Sequence, residues 1–341
     1  MTLGRQDRRG FEVCFVLLLG MMFFVALWWL RNEPVAPVAT VLRLLLLLQL
    51  LLSVVGLYVV EQASRPPSND AYHYVRWKAS NKSDAPTLVC LGDSLTHGTF
   101  SAPWVEDIVE HAPTWSKEQP LHVVNCGQNN LVTHTCLHER VDWTLACQPQ
   151  YVVVMIGTND CRGVYNRGWR WQLETMWWTP EPLSLDVLES NIESMVQKLV
   201  HAHPLRQVGL CTIPPLGEDL RNRANVEVVG SANARIRRIA AKYPDQCTLL
   251  DVYSGLTSQI RQDQLKWPVR LFFLPAIVFA FPRFLFGTSL KTLGKIINNQ
   301  VMIEGLHLNE TGGQVITTLV VQWLQAKGLS LPAAKYCSTR I

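Results

Sequence analysis

Apolar and polar positions divide the chain into two regimes. Residues 13–30 are almost continuously apolar and follow Arg5, Arg8 and Arg9; a second apolar run, 44–60, is broken only by Gln49, Ser53 and Gly56. Each approaches the ~20 residues that cross a bilayer at helical rise. The polar, proline-bearing stretch from Arg31 to Pro37 between them suggests a transmembrane hairpin within residues 1–62. A cleaved secretory signal is the alternative for the first run, although its apolar core exceeds the usual ~7–15 residues. Basic residues before the first run and after the second (Arg65, Arg76, Lys78, Lys82) put both ends of the hairpin, and the domain that follows, on the cytosolic side. Arg31, Arg43 and two glycosylation sequons, Asn81-Lys82-Ser83 and Asn309-Glu310-Thr311, favour the lumenal side.

Residues 63–86 are polar, contain Pro66-Pro67, and read as a linker. Beyond them short apolar runs alternate with amphipathic ones. Strands are expected at 87–91, 121–125, 151–156, 207–212 and 247–252, and helices at 105–111, 132–146, 185–201, 225–241 and 313–325. This alternation predicts a parallel sheet covered on both faces, a three-layer α/β domain over 87–330 with a flavodoxin-like doubly wound layout. Its site should lie at the carboxyl ends of the strands. A short tail, 331–341, follows. Two inserts depart from the alternation. One, 168–179, carries Trp169, Trp171, Trp177 and Trp178; the other, 266–290, contains the apolar run 271–281 with Phe272 and Phe273. Both follow a strand's carboxyl end, so Trp177, Trp178, Phe272 and Phe273 are expected on the rim of the site. The apolar run 271–281 is too short to span a membrane and suits a buried or interfacial piece; its flanking Arg270 and Arg283 and its prolines favour an interfacial lid over a buried structural helix.

Charge and cysteine content narrow the picture. A net charge of +4 with no long basic run argues against a nucleic-acid partner. The nine cysteines form no C-x-x-C pair and no zinc-like spacing, and Cys90, Cys126 and Cys211 fall beside expected strands, as small hydrophobes do. His134 and His138 stand four apart without the carboxylate of H-E-x-x-H between them, so no metal is expected.

Candidate chemistry gathers after the strands. Gly92-Asp93-Ser94-Leu95-Thr96 follows the first, Asn125-Cys126-Gly127-Gln128-Asn129-Asn130 the second, and Gly157-Thr158-Asn159-Asp160 the third. Glu304-Gly305-Leu306-His307-Leu308-Asn309 precedes the last helix. Acyl transfer needs a nucleophile, a base, a group that orients the base, and donors for the oxyanion. Ser94, His307, Glu304 and the Asn-bearing turns could supply these. Thr96 stands where the G-x-S-x-G elbow of α/β-hydrolases requires glycine, which disfavours that family.

These blocks, in this order, closely resemble the GDSL or SGNH hydrolase family over roughly 87–328. The resemblance implies a nucleophile at Ser94 and a base at His307, with no cofactor or metal. It further implies an oxyanion hole made from the Ser94 N–H, a backbone N–H of the second block and the Asn159 side chain. Two positions depart from the family pattern. Asn130 stands where the second block usually ends in glycine, with Gly127 retained at its other glycine position, and Glu304 replaces the usual aspartate. The expectation is a membrane-anchored serine hydrolase of a lipid or acyl ester. A glycan O-deacylase, or an inactive member that binds lipid or a partner, is the alternative.

Overall fold

The computed structural model describes residues 36–109, 115–116, 120–263, 266 and 273–331. The first expected span, 13–30, and most of the tail lie outside the described residues. Five strands form one all-parallel sheet: β1 (Thr87–Gly92), β2 (His122–Gly127), β3 (Tyr151–Met155), β4 (Gln207–Cys211) and β5 (Cys247–Leu250). Their order, β2-β1-β3-β4-β5, is the doubly wound layout expected, with the order reversing at β1.

Side chains along each strand alternate between two cores, as the pleat requires. Val89, Leu91, Val124, Val152 and Val154 face one; Leu88, Cys90, Val123, Val153 and Met155 face the other. The first core is covered by α2 (Ala71–Ser80), α8 (Leu185–His201) and α9 (Gly230–Ala241). The second is covered by α10 (Val252–Thr257), α12 (Leu290–Ile296) and α13 (Glu310–Ala326). The seven described cysteines are free and buried, and burial pushes the thiols of Cys90, Cys136 and Cys161 well above their ordinary range.

Several elements differ from the sequence expectation. The supposed linker contains α2, whose Tyr74 is fully buried and shares hydrogen bonds with Thr87 Oγ1 (2.7 Å) and His122 Nδ1 (3.1 Å). Just before α2, Asp70 pairs in parallel with Asn125, extending the sheet edge beyond β2. The helix expected at 105–111 is a set of turns over its described part, with Glu106 N bonded to Pro103 O three residues back. The run 132–146 is helical but composite: α4 (Thr133–Thr135), a π-helical turn (Cys136–Arg140) and α5 (Val141–Ala146). A second π-helical turn, Ala224–Val229, opens onto α9. The Trp-rich insert is helix α7 (Arg167–Trp177), which directly follows α6 (Thr158–Tyr165), and the second insert holds α11 (Phe273–Phe286).

The second expected span is part of α1 (Ala36–Ser64), of which Leu44–Ser64 is long and apolar enough to cross a membrane. Most described side chains of α1 are exposed, Leu44, Leu47 and Leu51 among them, with Ser53 and Val59 buried. Helix α11 packs against α1. The carboxyl end of α1 is bonded into the α/β domain: Asn129 Nδ2 donates to Ala63 O (3.0 Å), and Thr99 Oγ1 donates to Arg65 O (3.3 Å).

One close approach decides where the strand ends meet. A Cβ built on Gly127 would stand 2.3 Å from His97 N and 2.7 Å from Thr96 C, both backbone atoms that cannot swing aside. Gly127→Ala should therefore cost about 1–3 kcal/mol or more of stability and displace the turn that carries Ser94. Thermal unfolding of this variant beside wild type checks it, and an unchanged midpoint would refute the close approach.

Candidate active site

The site is built from strand register. Gly92 lies level with Gly127 on one side and with Met155 on the other, so the loops after β1, β2 and β3 leave the sheet side by side. Gln128 N donates to Gly92 O (3.0 Å), which ties the first two loops together. After Gly92 the chain turns into α3 (Ser94–His97), one helical turn capped by Asp93, whose Oδ1 accepts from Leu95 N at 3.0 Å. Ser94 is the first residue of that turn, so its N–H has no intrahelical partner.

From the far end of the sheet a loop ahead of α13 brings His307 to the serine. The Ser94 hydroxyl donates to His307 Nε2 at 3.0 Å, and His307 Nδ1–H donates to Glu304 Oε1. Glu304 is buried and His307 is only slightly exposed. The bond to a carboxylate leaves the proton on Nδ1 and the lone pair of Nε2 toward serine. Gly305, at φ 98°, makes the turn that folds Glu304 back onto the imidazole, so the longer side chain does reach.

The loop itself is fastened by a carboxylate that sequence reading did not single out. Glu218, fully buried, accepts from the backbone N–H groups of Gln300, Val301 and Met302 and pairs with Lys266 Nζ at 3.3 Å. Gly217 N donates to Gly305 O (2.7 Å). The turn that carries Gly217 and Glu218 is held in its turn by Asn225, projecting from the second π-helical turn onto Leu216 N and O.

The expected oxyanion donors divide. Asn130 has φ 58°, a left-handed conformation that asparagine tolerates better than most residues, and its carbonyl accepts from Trp177 Nε1 at 2.6 Å. Asn159 is buried in the first turn of α6, where its Nδ2 donates to Leu131 O at 3.0 Å. Gly127 is a correction: its N–H is taken by Asn125 Oδ1 (2.9 Å), so it has no donor to offer, and its place in the motif is explained by the close approach of α3.

The rim residues also divide. Trp177 is half-buried beneath the Asn130 turn and braces it, whereas Trp178 is 87% exposed. Phe272 lies outside the described residues, as does the side chain of Phe273. Two aromatic residues that no pattern pointed to touch the site instead. Phe100 meets the His307 ring edge-on at 5.2 Å, and Phe284 of α11 lies 6.0 Å from Phe100. The rings of His134 and His138 lie 4.5 Å apart, tilted by 48°, and no group of three metal-ligating side chains occurs among the described residues.

The geometry is that of a hydroxyl nucleophile backed by an imidazole and a carboxylate, and the sequence profile of the GDSL-like lipase/acylhydrolase family matches residues 90–315. The chain belongs to that family. As a GDSL-like acylhydrolase it cleaves carboxylic ester bonds. No curated protein matches its sequence. Among solved structures it is similar to a lipase/acylhydrolase from Enterococcus faecalis, at 16% identity and TM-score 0.46, covering 73% of this chain and 99% of that one. It is also similar to a catalytic mutant of Axe2, an acetylxylan esterase from Geobacillus stearothermophilus, at 14% identity and TM-score 0.48, covering 71% and 94%. A third is LAE5, an α/β hydrolase from the metagenome of Lake Arreo, at 19% identity and TM-score 0.46, covering 73% and 97%.

Two buried carboxyls under the acylhydrolase site respond to pH. Burial raises Asp93 and Asp160 from 3.8 to about 6, in Asp160 against the opposing donors Thr133 N and Oγ1. Between those values the folded protein binds a proton that the unfolded chain does not, so each group lowers stability as pH rises through the window. Asp160→Asn removes one of them. Its melting temperature relative to wild type should climb from about pH 4 to about pH 7, and a pH-independent difference would contradict this assignment.

Proposed function

We propose that this acylhydrolase is a membrane-anchored serine esterase acting on a lipid or acyl ester through an acyl-enzyme. The observation that carries it is the hydrogen-bonded series Ser94–His307–Glu304, with an apolar helix reaching the imidazole through Phe284 and Phe100. Ser94 Oγ attacks the ester carbonyl while His307 Nε2 takes its proton; Glu304 holds the imidazole in its tautomer and stabilises the imidazolium. The oxyanion is met by the N–H groups of Ser94 and Asn130 and by Asn159 Nδ2. His307 then protonates the departing alkoxide, and water, activated by the same imidazole, releases the acyl group.

The lipid reading is supported by where the apolar surface lies. Helix α1 ends against the loops after β1 and β2, and α11 packs on α1 while exposing Val278, Leu285 and Phe286. An ester in a bilayer crossed by α1 would then be close to Ser94. The lumenal reading loses one of its two sequons, that of Asn309. Its side chain is buried, capping α13 through Oδ1 and donating to Gln300 O and Met302 O, so a glycan there is incompatible with the fold.

A fluorophosphonate probe should label the wild-type protein and not Ser94→Ala; label that persists in the variant, or none on folded wild type, would overturn the nucleophile assignment. Glu304→Gln should lower kcat by roughly 10²–10⁴-fold with the fold intact. Deleting 273–286 should abolish hydrolysis of vesicle-borne lipid while sparing a short soluble ester. If both activities survive, the substrate is not a lipid; resistance of a carboxyl-terminal tag to protease in sealed vesicles of known orientation reports the side.

A further inference from the structure

An amide can serve an oxyanion only if its nitrogen faces the site, and the two ends of Asn159 are held by different partners. Nδ2 donates to Leu131 O at 3.0 Å, and Oδ1 accepts from Arg162 Nη1 at 2.8 Å. Nδ2 carries two hydrogens, so one remains after the bond to Leu131. Asn159 and Arg162 stand three apart on α6, a spacing that puts them on one helical face.

Arg162 is a costly residue to keep at this position. Its side chain is buried, its Nε has no hydrogen-bond partner among the described residues, and it forms no ion pair there. Burial lowers it only to about 10, so it stays cationic at neutral pH; the negative charges it senses are those of Glu304 and Asp93. Its Cζ lies 3.9 Å from the centre of the Trp169 ring, an attractive position for a guanidinium over an aromatic face. Trp169 belongs to the tryptophan-rich insert, so that insert contributes to the interior of the site as well as to its rim.

A cationic donor on Oδ1 has two consequences. Flipping the amide would set its NH2 against the guanidinium and its oxygen against Leu131 O, so one orientation is enforced. Charge assistance also draws electron density from the amide and makes the remaining Nδ2–H a stronger donor. We infer that Arg162, seated against Trp169, is a positioning residue that orients and strengthens Asn159 as the oxyanion donor. The inference rests on the role given to Asn159 under the proposed function.

The test is a double-mutant cycle on the full chain in detergent, with a neutral short p-nitrophenyl ester as substrate. Asn159→Ala should lower kcat by roughly 10²–10³-fold; retention of activity would overturn both the role of Asn159 and this inference. Arg162→Met should lower kcat about tenfold with KM unchanged, and Arg162→Lys should restore most of the loss. In the Asn159→Ala background Arg162→Met should cost less than about twofold, because its route of action is already gone. Equal losses in both backgrounds, or no loss in either, would overturn the inference while leaving Asn159 in its role. If Arg162→Met does not fold, Trp169→Leu carries the same cycle, with a fall in kcat expected only where Asn159 is intact.

Discussion

The absence of a side chain at Gly127 is the constraint on which the site depends. Because nothing projects there, the backbone of Thr96 and His97 lies directly on the end of β2. Asn125 completes the joint: its Nδ2 donates to Thr96 O while its Oδ1 takes the N–H of Gly127. Ser94 is therefore held by main-chain contacts on a five-stranded sheet and not by a loop free to adjust. A serine fixed in this way needs its hydrogen-bond partners brought to it, and they come from afar: His307 follows it by more than two hundred residues. The long connection is made rigid at its end by Glu218, one carboxylate collecting three successive backbone N–H groups.

That division explains what could be read from sequence. The strands were legible because each is a short, largely apolar run set between polar turns, and Leu185–His201 matched to the residue because its apolar period is unbroken and Ser184 caps it. The turns bearing Ser94, Asn159 and His307 were legible because each needs particular residues at fixed spacing. The stretch before β1 was misjudged because α2 is polar on average and its buried tyrosine finds its partners, Thr87 and His122, at a distance in sequence. Both π-helical turns were invisible since an inserted residue leaves local composition unchanged. Phe100, Phe284, Glu218 and Arg162 carried no pattern either: each matters through a neighbour supplied by another part of the chain. The sequon at Asn309 is the opposite case, a valid local motif whose asparagine is engaged in capping a helix.

Polar burial is concentrated around the Ser94–His307–Glu304 series. Asp93, Asp160, Arg162, Glu218 and Glu304 all lie inside, and most are engaged by backbone groups or by one another. Each charge would be expensive alone. Together they form a fixed electrostatic frame around Ser94, of the kind whose groups need not reorient when charge develops beside them. The raised carboxyls of Asp93 and Asp160 record the cost of that frame in the resting protein.

The bonds at the end of α1 use the main-chain oxygens of Ala63 and Arg65, not their side chains. Such a joint is indifferent to which amino acids stand at those positions but responds to how many precede them. Adding or removing a single residue in α1 would advance the helix by about 1.5 Å and turn it by about 100°. Its outward face would then rotate away from α11 while the two carbonyls stayed bonded. Point substitutions along the exposed leucines preserve that phase. The segment therefore behaves as a length-coded and phase-coded part, open to change in composition and closed to insertion or deletion.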